Sequence, residues 1–240
     1  MIDKVFDVGI ELVEKIRESQ SKNIDKASKL IADTIEKGNN VYVTGSGHSH
    51  TFALELYGRA GVLANFIPIL TSELTLTEHP TKSSYIERLP GYAKILVDLY
   101  GVKKDDVVIV VSNSGINSYP VEMCEEAHNN GAKVIAITNI EHSSKAKSRA
   151  KSGNKLMDIG DIVIDNCGVF GDAILDLDGI EETVFPTSSI SNAFISQAIN
   201  VQTCVYLKEK GIDPAVFISA NREDIEGKNE QYYKKYTRLY

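Results

Sequence analysis

Two short segments carry most of the chemistry legible in this chain. Gly45-Ser46-Gly47-His48-Ser49 and Ser112-Asn113-Ser114-Gly115-Ile116-Asn117 each set hydroxyl residues beside glycine. Each follows a β-branched apolar run and precedes a helical pattern, so each reads as a strand-to-helix turn. Free backbone N–H groups and the positive end of a helix meet at such a turn, which suits a phosphate. Serine and asparagine side chains add donors there without adding charge. A serine in that position is also an ordinary helix cap, so either turn alone is a weak signal. The first turn is not a dinucleotide fingerprint, because His50 stands where the third glycine would be, and neither turn has the lysine of a P-loop.

Carboxylates and histidines near these turns could move protons. Glu55 lies six residues beyond Ser49 on the helix that follows the first turn. Helix rise puts it about 9 Å along the axis, within reach of a small ligand held at the turn. Its neighbour Arg59, four residues on, offers the plainer reading of an ion pair. Glu73, Glu78 and His79 fall in a polar stretch after the second apolar run, on the rim where catalytic loops gather. His48 is a candidate for orienting a bound group. His48 and His50, with Glu55 or His79, are conceivable zinc ligands, but two histidines at that spacing are a weak motif, so no metal or cofactor is expected. Thr187, Ser188 and Ser189 open the last long helix and could contact hydroxyl groups, or simply cap it. His128 and His142 fall on surface helix and loop positions. The basic run Lys145 to Lys151, including Arg149, reads as a solvated face.

These residues have to be held by regular elements, and the pattern supplies them. Residues 1–37 are helical by spacing, with Ile24, Ala27, Ile31 and Ile35 on one face, and the polar stretch Ser19 to Asn23 is a possible break into two helices. Apolar runs at 41–44, 65–70, 106–111, 134–137 and 161–165 read as strands. Helices are expected at about 49–60, 87–100, 119–129 and 188–210, with a short exposed helix and loop over 141–154, a polar loop over 166–182 and a helix-like tail after Pro214. Strands alternating with helices indicate a parallel sheet covered on both faces, a three-layer α/β doubly wound sandwich. In the strand order 2-1-3-4-5 the first and third strands are neighbours whose connections leave to opposite faces. That switch point brings both serine turns to one crevice. Pro68 cannot donate to a ladder, which places the second strand at the edge, as the same order requires.

The chain has 240 residues and a formal net charge of −7. Length suits one domain, divided as helices 1–38, an α/β core 39–211 and a tail 212–240. The acidic balance argues against nucleic acid, and no apolar run approaches a membrane span. Cys124, Cys167 and Cys204 show no metal or disulfide spacing, and the first residues do not read as a signal peptide, so a cytoplasmic location is expected.

The two turns, together with Ile137-Thr138-Asn139, resemble the SIS (sugar isomerase) domain family. The second is similar to that family's S-x-S-G-x-[ST] phosphate loop, with Asn117 in place of the last hydroxyl residue. The whole chain is similar to stand-alone SIS proteins of about this length, through Gly47-His48-Ser49-His50, Gly58-Arg59-Ala60-Gly61, Lys82-Ser83-Ser84, Asp165-Asn166-Cys167-Gly168 and Val216 to Asn221. The resemblance implies a phosphate held by Ser49, Ser112 and Ser114, with Ser46, Asn113 and Asn117 as supporting donors. It also implies a homodimer or dimer of dimers. Glu73 resembles in placement a glutamate of the isomerase half of glucosamine-6-phosphate synthase. Thr187 to Ser189 resemble that enzyme's hydroxyl-rich helix start, without the lysine that follows there. The expected function is binding of a sugar phosphate and aldose–ketose isomerisation, with Glu55, Glu73 or Glu78 as base and His48 or His79 assisting. Amino-sugar phosphate elimination and non-catalytic phosphosugar sensing are the alternatives.

Overall fold

The computed structural model describes residues 1–222 and 227–236. Five strands form one parallel sheet: β1 (Val41–Gly45), β2 (Phe66–Ile69), β3 (Val107–Val111), β4 (Lys133–Thr138) and β5 (Ile162–Asp165). Their order is β2-β1-β3-β4-β5, with β2 and its Pro68 at an edge. β1 and β3 are buried along their whole length. Unbroken apolar runs follow from that, because both faces of the sheet are covered.

Alternate side chains feed two separate cores. Val41, Val43, Val107, Ile109 and Val111 pack with α1 (Ile2–Glu36), α2 (His50–Glu55) and α8 (Thr187–Glu209) on one face. Tyr42, Val108, Val110, Val134 and Ala136 pack on the other face with α4 (Tyr92–Tyr100), α5 (Ser118–Asn129) and Leu156 of α7 (Leu156–Ile159). The strand period of two thus produces three layers. α2 leaves β1 toward one face and α5 leaves β3 toward the other, which is the condition for a crevice between the two strand ends.

Several elements differ from the sequence expectation. α1 is one helix of 35 residues, not two. Its polar middle does not break it because those side chains find partners at the end of β5. Gln20 Oε1 accepts the Asp165 N–H at 3.1 Å, Ser19 Oγ meets Cys167 Sγ at 3.3 Å, and Lys15 Nζ donates to the Cys167 carbonyl at 3.1 Å. The helix expected over 87–100 begins only at Tyr92, as α4, after Pro90 and a left-handed Gly91, and a separate short helix, α3 (Lys82–Ile86), precedes the expected range. α2 spans six residues, shorter than the expected 49–60. The polar loop of 166–182 contains β6 (Ala173–Leu175), which pairs antiparallel with β7 (Val184–Pro186). α6 (Ile140–Lys145) is the expected short helix. In the tail, α9 (Lys228–Tyr236) sets Tyr232 and Tyr236 against Phe217, while 237–240 of the expected helix-like end lie outside the described residues.

Replacing Gln20 with alanine leaves the Asp165 N–H without its partner. The expected cost is about 1 kcal/mol, read as a lower midpoint in urea unfolding. An unchanged midpoint would show that water serves that N–H equally well.

Candidate functional site

The parallel pairing of β1 with β3 sets Gly45 level with Val111. The residues that follow, Ser46 and Ser112, therefore leave the sheet side by side. Both turns are tight. A Cβ on Gly45 would lie 2.6 Å from the Ser49 carbonyl oxygen, so only glycine lets the 3₁₀ turn Gly47–Ser49 fold back against its strand. Gly115 has φ +64°, and a Cβ there would lie 2.7 Å from Thr138 Oγ1. Ser112 Oγ accepts the Gly115 N–H at 3.1 Å, which closes the second turn and leaves the hydroxyl proton as a donor.

Both turns line one cavity of about 380 Å³. Ser46, His48, Ser49, Ser112, Asn113, Ser114 and Asn117 of the sequence candidates face it, and Ser188 joins them from the start of α8. Leu76, Pro80, Ser83, Ser84, Glu87, His142, Gly171 and Asp172 complete the lining. No lysine or arginine is among these lining residues. Asn166 Nδ2 donates to Asn113 Oδ1 at 2.8 Å, which fixes the Asn113 amide and leaves its nitrogen as a donor. Thr187 lies behind the wall: its hydroxyl donates to Asp172 Oδ1 at 2.9 Å, beside the Ser188 N–H at 2.8 Å. Asp172 thereby caps α8, and Ser188 Oγ also donates to it at 2.7 Å.

The expected carboxylates lie outside the lining. Glu55 is ion-paired with Arg59 at 2.7 Å and accepts weakly from Gln197 at 3.4 Å. Glu73 is exposed and takes bonds from Ser72 at 3.2 Å and the Tyr92 hydroxyl at 3.3 Å. Glu78 is exposed and paired with Lys82. His79 is exposed, with Nδ1 at 3.0 Å from the Thr81 hydroxyl, and Ser189 is exposed. The His50 ring turns back and donates from Nδ1 to the Gly47 carbonyl. Among the described residues no three His, Cys, Asp or Glu side chains gather as a metal site. The weighed zinc set of His48, His50, Glu55 and His79 is therefore not assembled here.

Two functional candidates come from residues the sequence reading passed over. Glu87, half-buried just after α3, joins the two turns: Ser46 Oγ donates to Oε2, and Asn117 Nδ2 donates to Oε1 at 2.7 Å. Burial pushes the Glu87 carboxyl above its ordinary range, against the opposing pull of the Ser46 bond and of Arg88 and Arg149. Arg149, assigned to a solvated face, reaches Asn117 Oδ1 at 2.8 Å. The available signal was spacing, since Glu87 stands four residues after Ser83 in the Lys82-Ser83-Ser84 signature. His142, read as a surface residue, lies one turn into α6, whose cap Asn139 Oδ1 accepts the His142 N–H at 2.7 Å. Its ring stacks on Phe170 with centroids 4.8 Å apart, and its Nδ1 accepts the Gly171 N–H at 3.2 Å. Burial pulls its pKa below the ordinary imidazole value. Neutral His142 with Nδ1 occupied as an acceptor carries its proton on Nε2.

The SIS domain family profile matches residues 6–139. A UPF0309 protein of Thermoanaerobacter pseudethanolicus is 42% identical, covering 98% of this chain and 97% of its own. A UPF0309 protein of Halalkalibacterium halodurans is 40% identical, covering 95% of this chain and 94% of its own. A phosphoheptose isomerase from Francisella tularensis shares the fold with a TM-score of 0.51 at 20% identity, over 84% of this chain and 95% of that one. The chain belongs to the SIS-domain family, and its relatives in that family include UPF0309 proteins of similar length. No helix among the described residues is long and apolar enough to cross a membrane.

Folding raises the Glu87 pKa, so the folded chain holds this proton to a higher pH than the unfolded chain does. Ionising Glu87 therefore costs stability as pH rises from the ordinary carboxylate range through the raised value. Glu87→Gln keeps the shape and cannot ionise. Its melting temperature is expected to exceed that of the wild type above this window and to match it below. A gap independent of pH would remove Glu87 as its cause.

Proposed function

We propose that this protein binds a sugar phosphate in the crevice between β1 and β3 and interconverts aldose and ketose forms. The observation that carries the reading is the convergence of both serine turns and Glu87 on one cavity. The phosphate is received by the hydroxyls of Ser49, Ser112 and Ser114, with Asn113 Nδ2 as a further donor. Backbone N–H groups of the turns supply the positive potential that the absent lysines and arginines do not. About 380 Å³ lies within the range for small-ligand pockets, roughly 300–1,000 Å³.

Isomerisation needs one group to take the C2 proton and return it to C1, and a donor for the ring oxygen or carbonyl oxygen. Glu87 fits the first role: it lines the cavity, and its raised pKa brings it nearer the working pH than an exposed carboxylate. Abstraction leaves an enediolate, whose oxygen the Nε2–H of His142 can protonate or stabilise. His48 also lines the cavity and is available to orient hydroxyls. Glu55 remains the rival base, held in its ion pair with Arg59. One observation favours a binding role without catalysis: both Glu87 oxygens already accept a hydrogen bond.

Two measurements separate these readings. Thermal stabilisation by a panel of sugar phosphates is expected for the wild type and to weaken about tenfold or more in apparent affinity for Ser112→Ala and Ser114→Ala, a charged-acceptor hydrogen bond being worth roughly 1.5–3 kcal/mol. Unchanged shifts would take the phosphate away from these turns. Exchange of the C2 hydrogen with solvent deuterium should be lost in Glu87→Gln with binding retained. Loss in Glu55→Gln instead would move the base there, and binding without exchange in the wild type would leave a phosphosugar-binding protein that does no chemistry.

A further inference from the structure

Arg149 lies outside the cavity lining, yet it is tied to both groups placed there for proton transfer. Its backbone docks on the second serine turn. The Arg149 N–H donates to the Ile116 carbonyl at 2.7 Å, and Ser118 Oγ donates to the Arg149 carbonyl at 3.4 Å. Ala150, the next residue, is buried. An anchored backbone thus delivers the guanidinium, although Arg149 itself is exposed. From there a hydrogen-bond chain runs inward. Arg149 Nη1 donates to Asn117 Oδ1 at 2.8 Å, and Asn117 Nδ2 donates to Glu87 Oε1 at 2.7 Å. Asn117 is buried, and only one orientation of its amide works. Turned over, it would set its NH2 against a guanidinium that only donates, and its oxygen against an ionised carboxylate that only accepts. A cation at one end of such a chain polarises the amide and strengthens its bond to the carboxylate at the other. That favours ionised Glu87.

The same charge acts on His142. Arg149 favours the neutral imidazole there, and Asp172 favours the protonated one. Lys145 lies across Phe170, 5.5 Å from that ring, and is paired with Glu141. Lys155 Nζ is held on the Ser143 carbonyl at 2.7 Å. Glu87 is faced by Arg88 and Arg149, and His48 and His142 share its cavity. Among the described residues Arg149 is the one charge that bears on both Glu87 and His142, and it makes no ion pair of its own there. Water screens an exposed charge, so Arg149 biases the two groups and does not lock them.

We propose that Arg149 is a positioning residue that holds Glu87 ready as the base and His142 as the neutral proton donor, acting on the first through Asn117 and on the second through its charge. The inference rests on the reading of Glu87 and His142 as the acid–base pair. Two variants separate charge from bond. Arg149→Gln keeps an amide donor for Asn117 and loses the charge, and Arg149→Lys keeps the charge. Two titrations without substrate read the result. The His142 ring resonance, assigned by its loss in His142→Gln, is expected to titrate at higher pH in R149Q than in the wild type, and to stay close to the wild type in R149K. The melting-temperature gap between each chain and its Glu87→Gln derivative is expected to widen, and to level off at higher pH, in R149Q and not in R149K. A midpoint that R149Q leaves in place at either group would overturn the proposal. So would equal movement in both variants, which would make the arginine a structural prop of the turn. If the wild type exchanges the C2 hydrogen with solvent, the acid limb of its pH–rate profile should also move to higher pH in R149Q, and an unmoved limb would again overturn the proposal. No exchange in the wild type would count against the isomerase reading alone, since the titrations decide the role of Arg149 without turnover.

Discussion

The parallel pairing of β1 with β3 is the constraint on which the site depends. Its register puts Gly45 beside Val111, so the two strands end level and their turns begin as neighbours. Had either connection left to the other face, one turn would have covered the other. α2 packs with one core and α5 with the other, and the space between the strand ends stays open. What holds the register is burial: a slip of one residue would exchange the two sets of apolar side chains between cores that differ in shape. The same burial allows glycine at position 45, where the turn must return onto its own strand.

The cavity proposed to take a phosphate belongs to a chain of net charge −7. Hydroxyls, amides and turn N–H groups line the cavity, and arginine enters only behind it, through Arg149 on Asn117. Glu87 complicates this arrangement in a useful way. Its carboxylate ties the Ser46 turn to the start of α5, and burial raises its pKa. An approaching phosphate would raise it further, because a like charge disfavours ionisation. Glu87 can take a proton only as the ionised carboxylate, and a raised pKa makes that carboxylate a stronger base. Asp172, by contrast, is committed to the N-terminus of α8.

Much of the scaffold was legible in the sequence because its strands are continuous β-branched runs. The two turns and the edge position of Pro68 followed from local composition and from one topological rule. Features that depend on distant partners were not legible. Ser19 and Gln20 look like a helix break until the end of β5 is placed against them. The β6 and β7 strands are three residues each, too short for a strand period to stand out from the polar stretch around them. Glu87 and His142 reach the cavity only through the placement of α3 and α6; the one local signal, Glu87's spacing from the Lys82-Ser83-Ser84 signature, says nothing of what lies beside it. Glu55, chosen for its distance along a helix, instead satisfies its i+4 arginine, because α2 ends within two turns and that pair lies at its end.

The most direct test is a crystal structure of the protein with a bound sugar phosphate. The account predicts the phosphate among Ser49, Ser112 and Ser114, within hydrogen-bond distance of their hydroxyls, and the C1–C2 edge of the sugar facing Glu87. A sugar phosphate held elsewhere, or seated in the crevice with its phosphate against neither serine turn, would contradict it.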